Sequence, residues 1–143
     1  MIEHERIGDA PFVGALISAC DCNNNCEGCF NQHIKEYPTK VKSSQLLISE
    51  VKLNIFNKGI ILAGLEWGLQ KEEAVDLACE AQRNGLLSIL YSGDEGALVW
   101  GKDYFDYIKT GKYVESKKSA NHIEYGVCLS TLNQHIYKRG VDY

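Results

Sequence analysis

The sequence has little proline, no excess of basic residues and no long hydrophobic run. Only two of its 143 residues are proline, and no low-complexity stretch divides the chain, so we expect one domain over residues 1–143. The formal net charge of −4 argues against a non-specific nucleic-acid binder, whose surface would be basic. No stretch approaches the roughly 20 apolar residues of a membrane-spanning helix. Residues 1–6 are charged and lack the apolar run of a signal peptide, which predicts a cytoplasmic protein with neither membrane nor nucleic acid as a partner.

Cysteine, by contrast, is clustered. The chain has six cysteines, and four of them lie in the segment CDCNNNCEGCFN, residues 20–31. In a reducing compartment, clustered cysteines bind metal more often than they form disulfides. The spacing of Cys22, Cys26 and Cys29 is C-x3-C-x2-C, which supplies one thiolate fewer than a tetrahedral zinc site or a cubane iron–sulfur cluster requires. Three such cysteines would hold three irons of a 4Fe-4S cluster and leave the fourth iron open to a small molecule.

Two other interpretations of this segment remain open at this point. Cys20 could be a fourth ligand that closes a zinc site or an electron-transfer cluster, and His33 could complete a Cys3His zinc site. No second pair of ligands at zinc-ribbon spacing follows downstream. Cys79 and Cys128 stand alone, and we expect them in the core as small hydrophobic residues. The spacing favours a cluster over zinc.

Strands and helices alternate in the predicted secondary structure. Strands are predicted at residues 12–18, 60–63, 86–91, 112–116, 123–129 and 135–137, and helices at 44–56, 71–84 and 94–100, while 104–109 fits either. Ser43 or Ser44 would cap the first helix and Gly85 would end the second. This order implies an α/β fold with a parallel sheet and right-handed crossovers. Residues 20–31, 64–68 and 92–93 each follow a predicted strand, so we expect them to meet at the carboxyl edge of the sheet, where such folds bind ligands.

Six short motifs, spread in order over nearly the whole chain, resemble those of one enzyme family. They are Pro11-Phe12-Val13, Cys26-Glu27-Gly28-Cys29-Phe30-Asn31, Gly64-Leu65-Glu66, Tyr91-Ser92-Gly93, Thr110-Gly111-Lys112-Tyr113-Val114-Glu115 and Ser130-Thr131-Leu132-Asn133-Gln134-His135-Ile136. Together with the cysteine spacing, they resemble the radical S-adenosylmethionine (SAM) enzymes, and most of all the small activating proteins of anaerobic ribonucleotide reductase. Leu65 departs from the family's glycine-glycine-glutamate motif, Thr110 stands where the family has aspartate, and Cys20 is additional.

The resemblance implies an α/β fold in the form of a partial, open (β/α) barrel of about five to six mostly parallel strands, since a full barrel usually needs roughly 200 residues or more. It implies that Cys22, Cys26 and Cys29 hold a 4Fe-4S cluster and act as the catalytic metal ligands. SAM would chelate the fourth iron, and one electron from the cluster would cleave SAM to methionine and a 5′-deoxyadenosyl radical. The residues that would bind SAM on this basis are Phe30, Asn31, Gly64, Leu65, Glu66 and Ser92.

The resemblance also implies a partner. The expected activity is the generation of a glycyl radical on the large subunit of an anaerobic ribonucleoside-triphosphate reductase, with an electron donor such as flavodoxin or ferredoxin. An open barrel suits a macromolecular substrate, whose glycine-bearing loop would complete the site. Two alternatives are a radical SAM enzyme that acts on a small metabolite or peptide, and a non-enzymatic iron–sulfur or zinc module.

The remaining conspicuous residues are expected to be structural. Trp67 and Trp100 are typical packing anchors. His122 and His135 share no ligand spacing with each other or with His33, which predicts exposed or core-satisfied side chains. The pair Asn133-Gln134 would contact SAM or a partner, or cap a turn.

Overall fold

The computed structural model of this protein describes residues 2–19, 43–64 and 66–143. The strands in these ranges are β1 (Ile2–Arg6), β2 (Gly14–Ala19), β3 (Gly59–Gly64), β4 (Leu87–Tyr91), β5 (Tyr107–Thr110), β6 (Lys118–Glu124), β7 (Val127–Thr131) and β8 (His135–Lys138). The α-helices are α1 (Ser44–Leu53), α2 (Lys71–Arg83) and α3 (Ala97–Gly101), and Trp67–Gln70 and Glu115–Lys117 are 3₁₀ turns. No helix in these ranges is long and apolar enough to cross a membrane.

The main sheet has six strands in the order β1-β2-β3-β4-β5-β8. Strands β2 to β5 are parallel and stand in chain order, while β1 and β8 are antiparallel to their neighbours. The expected α/β class with a mostly parallel sheet is therefore confirmed. Since β2, β3, β4 and β5 run in the same direction, their carboxyl ends lie along one edge, which we call the carboxyl edge.

The two faces of the sheet are covered differently. Ile60, Leu62 and Leu90 project from one face into a buried cluster that includes Val51 of α1 and Leu77 of α2. This shared side follows from right-handed crossovers between strands that stand in chain order. The opposite side, which we call the second face, carries a smaller cluster of Ala10, Ile61, Ala63 and Ile89. The hairpin of β6 and β7 adds a third cluster beside it, made of Val127, Leu129 and Ile136.

Two predicted strands are wrong for identifiable reasons. Residues 111–114 have no regular structure and lead into the 3₁₀ turn Glu115–Lys117, so no strand covers 112–116. The predicted strand 123–129 spans the hairpin turn at Tyr125 and Gly126, whose φ angles are 49° and 77°. Apolar residues alternate on both sides of that turn, so the alternation by itself predicts one continuous strand and gives no sign that the chain reverses.

Residues 2–6 form β1, although no strand is predicted there. Only Ile2 of this strand packs against the main core, as suits an edge strand with one covered face. Arg6 pairs with Glu3 at 2.7 Å and with Asp9 at 2.6 Å. The charged side chains of Glu3 and Arg6, which made a strand hard to predict here, are thus partly exposed to solvent.

Helix α1 begins at the predicted cap but ends at Leu53 rather than near residue 56. Ser43 is the N-cap, and its Oγ accepts a hydrogen bond from the Leu46 N–H at 3.3 Å. We expect Ser43→Ala to lower the free energy of unfolding by about 1 kcal/mol, because that N–H loses its acceptor. The matched control is Ser44→Ala in the first turn, where the change is expected to stay within about 0.5 kcal/mol. Urea unfolding followed by circular dichroism measures both, and equal losses would contradict the cap.

Candidate functional site at the carboxyl edge

The cysteine-bearing segment directly follows β2. Cys22, Cys26, Cys29, Phe30 and Asn31 lie outside the described residues, as does Leu65. The strand that leads into them ends at Ala19, one residue before the segment begins. The chain therefore enters the cysteine cluster from the carboxyl edge, as the sequence predicts.

Gly64 ends the neighbouring strand at the same place. The last pair on the β2–β3 ladder joins Ala19 to Gly64, so the chain enters the cysteine segment next to this glycine. Gly64 has a φ angle of 89°, a left-handed conformation that residues with a Cβ rarely adopt. The turn out of β3 therefore depends on glycine, and the backbone there has no side chain to shield it.

Glu66 joins the loop after β3 to the loop after β4. Its side chain is buried, with 5% exposure. One oxygen, Oε1, accepts hydrogen bonds from the Gly68 N–H and the Ser92 hydroxyl, each at 2.8 Å. The other, Oε2, accepts from the Gly93 N–H at 2.9 Å. The predicted meeting of residues 64–68 with 92–93 is confirmed, and this carboxylate forms the connection.

Ser92 is equally enclosed, with 5% exposure. While its hydroxyl donates to Glu66, its oxygen accepts from the Asp94 N–H at 3.0 Å. Its own N–H donates to the carbonyl of Lys109 at 2.9 Å, which ties the end of β4 to β5. The serine thus links three segments of the carboxyl edge.

The second face carries an aromatic ring and a cation near this edge. Tyr91 and Lys109 are register partners on β4 and β5, and the Lys109 Nζ lies 4.8 Å from the centroid of the Tyr91 ring. The Tyr91 hydroxyl donates to the carbonyl of Asp9. Burial, reinforced by the negative charge of Asp9, raises the pKa of Tyr91 above its usual value. The phenol is therefore a neutral hydrogen-bond donor around pH 7.

The residues next to the cysteine segment are small enough for a bulky cofactor. Ser18 and Ala63 face each other on the β2–β3 ladder, with exposures of 9% and 8%, and Gly64 follows. The described residues that directly flank the start of this segment on β2 and β3 therefore carry short side chains or none. These residues fit the cofactors that the resemblance implies.

Gln134 and Asn133 have structural roles at the end of β5. The Gln134 side chain, 4% exposed, accepts from the Ser130 N–H at 3.0 Å and donates to the Gly111 carbonyl at 3.3 Å. Asn133 donates to the carbonyl of Lys112 at 2.9 Å. Both side chains thus cap backbone groups of the turn, which is one of the two roles that the sequence leaves open for this pair.

The tryptophans and the two isolated cysteines can be compared with their predicted core positions. Trp67 is a packing anchor, as predicted, with 5% exposure and its indole N–H donating to the Ala63 carbonyl at 2.9 Å. Trp100 is half-buried and packs against the main core. Cys79 is half-buried in α2, whereas Cys128 is exposed on β7, so the expectation of a core position is wrong for Cys128.

His135 is exposed, as predicted, and His122 is half-buried with its Nε2 2.7 Å from the Gln134 carbonyl. The sequence does not predict that the fold brings both histidines to Glu124. One ligand atom from each of the three residues lies within 4.8 Å of the others. The sequence contains half of the signal: His122 and Glu124 are two residues apart on one strand and so share a face. His135 joins these two residues only because the β6–β7 hairpin packs against β8.

Comparison with known proteins returns no match. No protein-family model, no curated protein and no solved structure matches this chain. Support for a function therefore comes from the motifs of the sequence and from the geometry of the carboxyl edge.

Proposed function

We propose that this protein is a radical SAM activating enzyme that generates a glycyl radical on the large subunit of an anaerobic ribonucleoside-triphosphate reductase. One observation carries the proposal: Cys22, the first residue of the C-x3-C-x2-C motif, comes three residues after the end of β2, and β2 ends at the edge where Glu66 joins the loops after β3 and β4. The three sequence features that the resemblance assigns to one cofactor site thus follow adjacent parallel strands.

The proposed fold is an open, partial (β/α) barrel. Four parallel strands in chain order, with α1 and α2 packed on one side, are the repeating arrangement from which such barrels are built. The antiparallel strands β1 and β8 stand at the two margins of the sheet. In this proposal the second face lines the interior of the barrel.

The proposal assigns each residue one role. Cys22, Cys26 and Cys29 hold the cluster as thiolates, and Phe30 and Asn31 flank the adenine of SAM. When bound, the 4Fe-4S cluster and SAM supply the electron transfer and hydrogen abstraction that side chains do not provide.

The residues at the carboxyl edge bind SAM or hold the loops around it in position. Gly64 lets the backbone approach the methionine end of SAM, and Leu65 continues that contact. Glu66 and Ser92 hold the two loops in place around the nucleotide, because the carboxylate already accepts three hydrogen bonds and the hydroxyl already donates one. We therefore treat both as positioning residues.

The substrate in this proposal is a protein loop. A small-molecule enzyme usually encloses its substrate in a concave pocket, whereas an open barrel leaves the cofactor edge accessible to a partner. A glycine-bearing loop of the reductase would fill the opening and exclude water from the reacting groups. Flavodoxin or ferredoxin would supply the electron.

The test is the appearance of a glycyl radical under anoxic conditions. The reconstituted protein, SAM and dithionite are mixed with the reductase encoded in the same genome, and electron paramagnetic resonance spectra are recorded. We expect a glycyl radical signal that requires all components and that disappears when the radical glycine of the reductase is replaced with alanine. Methionine release without any radical on the reductase would instead favour a metabolite or peptide substrate. Absence of bound iron after reconstitution would remove the basis of the proposal.

A further inference from the structure

A second group of ligand-type side chains lies between the β6–β7 hairpin and β8. His122 and Glu124 are on one face of β6, and His135 is the first residue of β8. The Glu124 Oε2 lies 3.3 Å from the Nε2 of His122 and 2.9 Å from the Nδ1 of His135. One carboxylate oxygen is therefore close to two imidazole nitrogens.

The Glu124 carboxylate is held in this orientation by the backbone. Its other oxygen, Oε1, accepts a hydrogen bond from the Ile136 N–H at 2.8 Å. That bond fixes the plane of the carboxylate and directs Oε2 toward the two rings. A supporting hydrogen bond of this kind is typical of carboxylates that ligate metals.

The two rings converge without stacking. Their centroids are 5.7 Å apart and their planes are nearly perpendicular, at 86°. His122 and Glu124 are half-buried, with side-chain exposures of 17% and 25%, whereas His135 is 46% exposed. The group is thus enclosed on the protein side and reaches solvent at His135.

Two imidazole nitrogens and one carboxylate oxygen are ligand types that a tetrahedral zinc ion accepts. Nitrogen and oxygen ligands lie at about 2.0–2.2 Å from zinc, which places neighbouring ligand atoms about 3.4 Å apart. The separations of 3.3 Å and 2.9 Å from the Glu124 oxygen are close to this value, and the two histidine nitrogens, which lie within 4.8 Å of each other, would move closer together on binding. Two histidines and one glutamate also leave one coordination position for water or another ligand.

We propose that His122, Glu124 and His135 form a binding site for a divalent transition metal ion, with zinc as the metal. The Nε2 of His122 lies 2.7 Å from the Gln134 carbonyl, and metal binding would replace that hydrogen bond. The bound ion would cross-link the β6–β7 hairpin to β8, two elements that belong to different sheets. None of the three ligand residues belongs to the cysteine segment, and the site does not depend on the proposed activity.

The test compares zinc binding by the full-length protein and three variants, His122→Ala, His135→Ala and Glu124→Gln. Glutamine can keep an oxygen toward the Ile136 N–H while it removes the carboxylate. We expect each variant to bind about one zinc ion fewer per chain than the wild type, with affinity at this site reduced by about 100-fold or more. His4→Ala is the control, since His4 lies on β1 and bonds to Asn57, and it should leave zinc binding unchanged.

Two further readouts separate this site from the thiolates and from misfolding. X-ray absorption at the zinc edge should show nitrogen and oxygen scatterers in the wild type that are lost in Glu124→Gln, while any sulfur scatterers persist. Zinc should raise the thermal midpoint of the wild type but not of Glu124→Gln, even if the metal-free variant is less stable. Zinc bound through sulfur alone, or equal stoichiometry in the wild type and all three variants, would overturn the proposal.

Discussion

Replacing Cys22, Cys26 or Cys29 with alanine is expected to abolish the iron–sulfur cluster, whereas Cys20→Ala should leave it intact. Anaerobic reconstitution of the wild type should give roughly four irons and four sulfides per chain, and each of the three variants should fall to near zero. A site-differentiated cluster has only three protein ligands, so the loss of any one leaves too few thiolates to hold it. Iron and sulfide analysis with absorption spectroscopy measures the result.

The Cys20→Ala variant is the matched control, because it removes a thiol from the same segment. If Cys20→Ala also lost the cluster, Cys20 would be a fourth ligand and no iron would be open to SAM. Bound zinc in place of iron in the wild type would likewise contradict the cluster. Perturbation of the cluster spectrum by SAM should persist in Cys20→Ala.

Glu66→Ala is expected to lower the free energy of unfolding by about 4 kcal/mol. The reason is that three hydrogen bonds to one buried carboxylate are lost, each worth roughly 1.5–3 kcal/mol and not fully additive. The donors left behind are the Ser92 hydroxyl and the N–H groups of Gly68 and Gly93. Urea unfolding of the reduced, metal-free protein, followed by circular dichroism, gives the value.

Ser92→Ala tests the same network from the other side. It removes one of the three bonds to Glu66 and the acceptor of the Asp94 N–H, so we expect a loss of about 1.5–3 kcal/mol. The double variant should lose less than the sum of the two single variants, because both remove the Glu66–Ser92 bond. A loss below about 1 kcal/mol for Glu66→Ala, or strict additivity in the double variant, would show that this network does not hold the carboxyl edge together.

The parts of the fold that the sequence predicts best are those with strong local signals. Helix α2 has an apolar side and acidic residues in its first turn, and it ends just before Gly85, whose φ angle is 72°. Strand β3 is a continuous run of buried residues, as a central parallel strand should be. In both elements, the local preference and the tertiary environment favour the same structure.

Prediction failed where local pattern and tertiary packing diverge. The alternation of apolar residues through 123–129 is typical of one strand, and only the left-handed backbone at Tyr125 and Gly126 divides it in two. Strand β1 is charged and would not be stable alone; pairing with β2 holds it at the margin of the sheet. In both cases the pairing of one strand with the next along the chain, rather than the residue pattern of either strand, decided the structure.

The sequence by itself determined the cysteine spacing, the strand–helix rhythm and the order of motifs, in which each of three loops directly follows a parallel strand. Only the tertiary structure decided that Glu66 and Ser92 bind each other, and that His122 and His135 meet at Glu124. The physical reason is separation along the chain. Spacing within one helix, strand or loop fixes which of its side chains share a surface. Contacts between separate segments instead depend on how the whole chain buries its apolar residues.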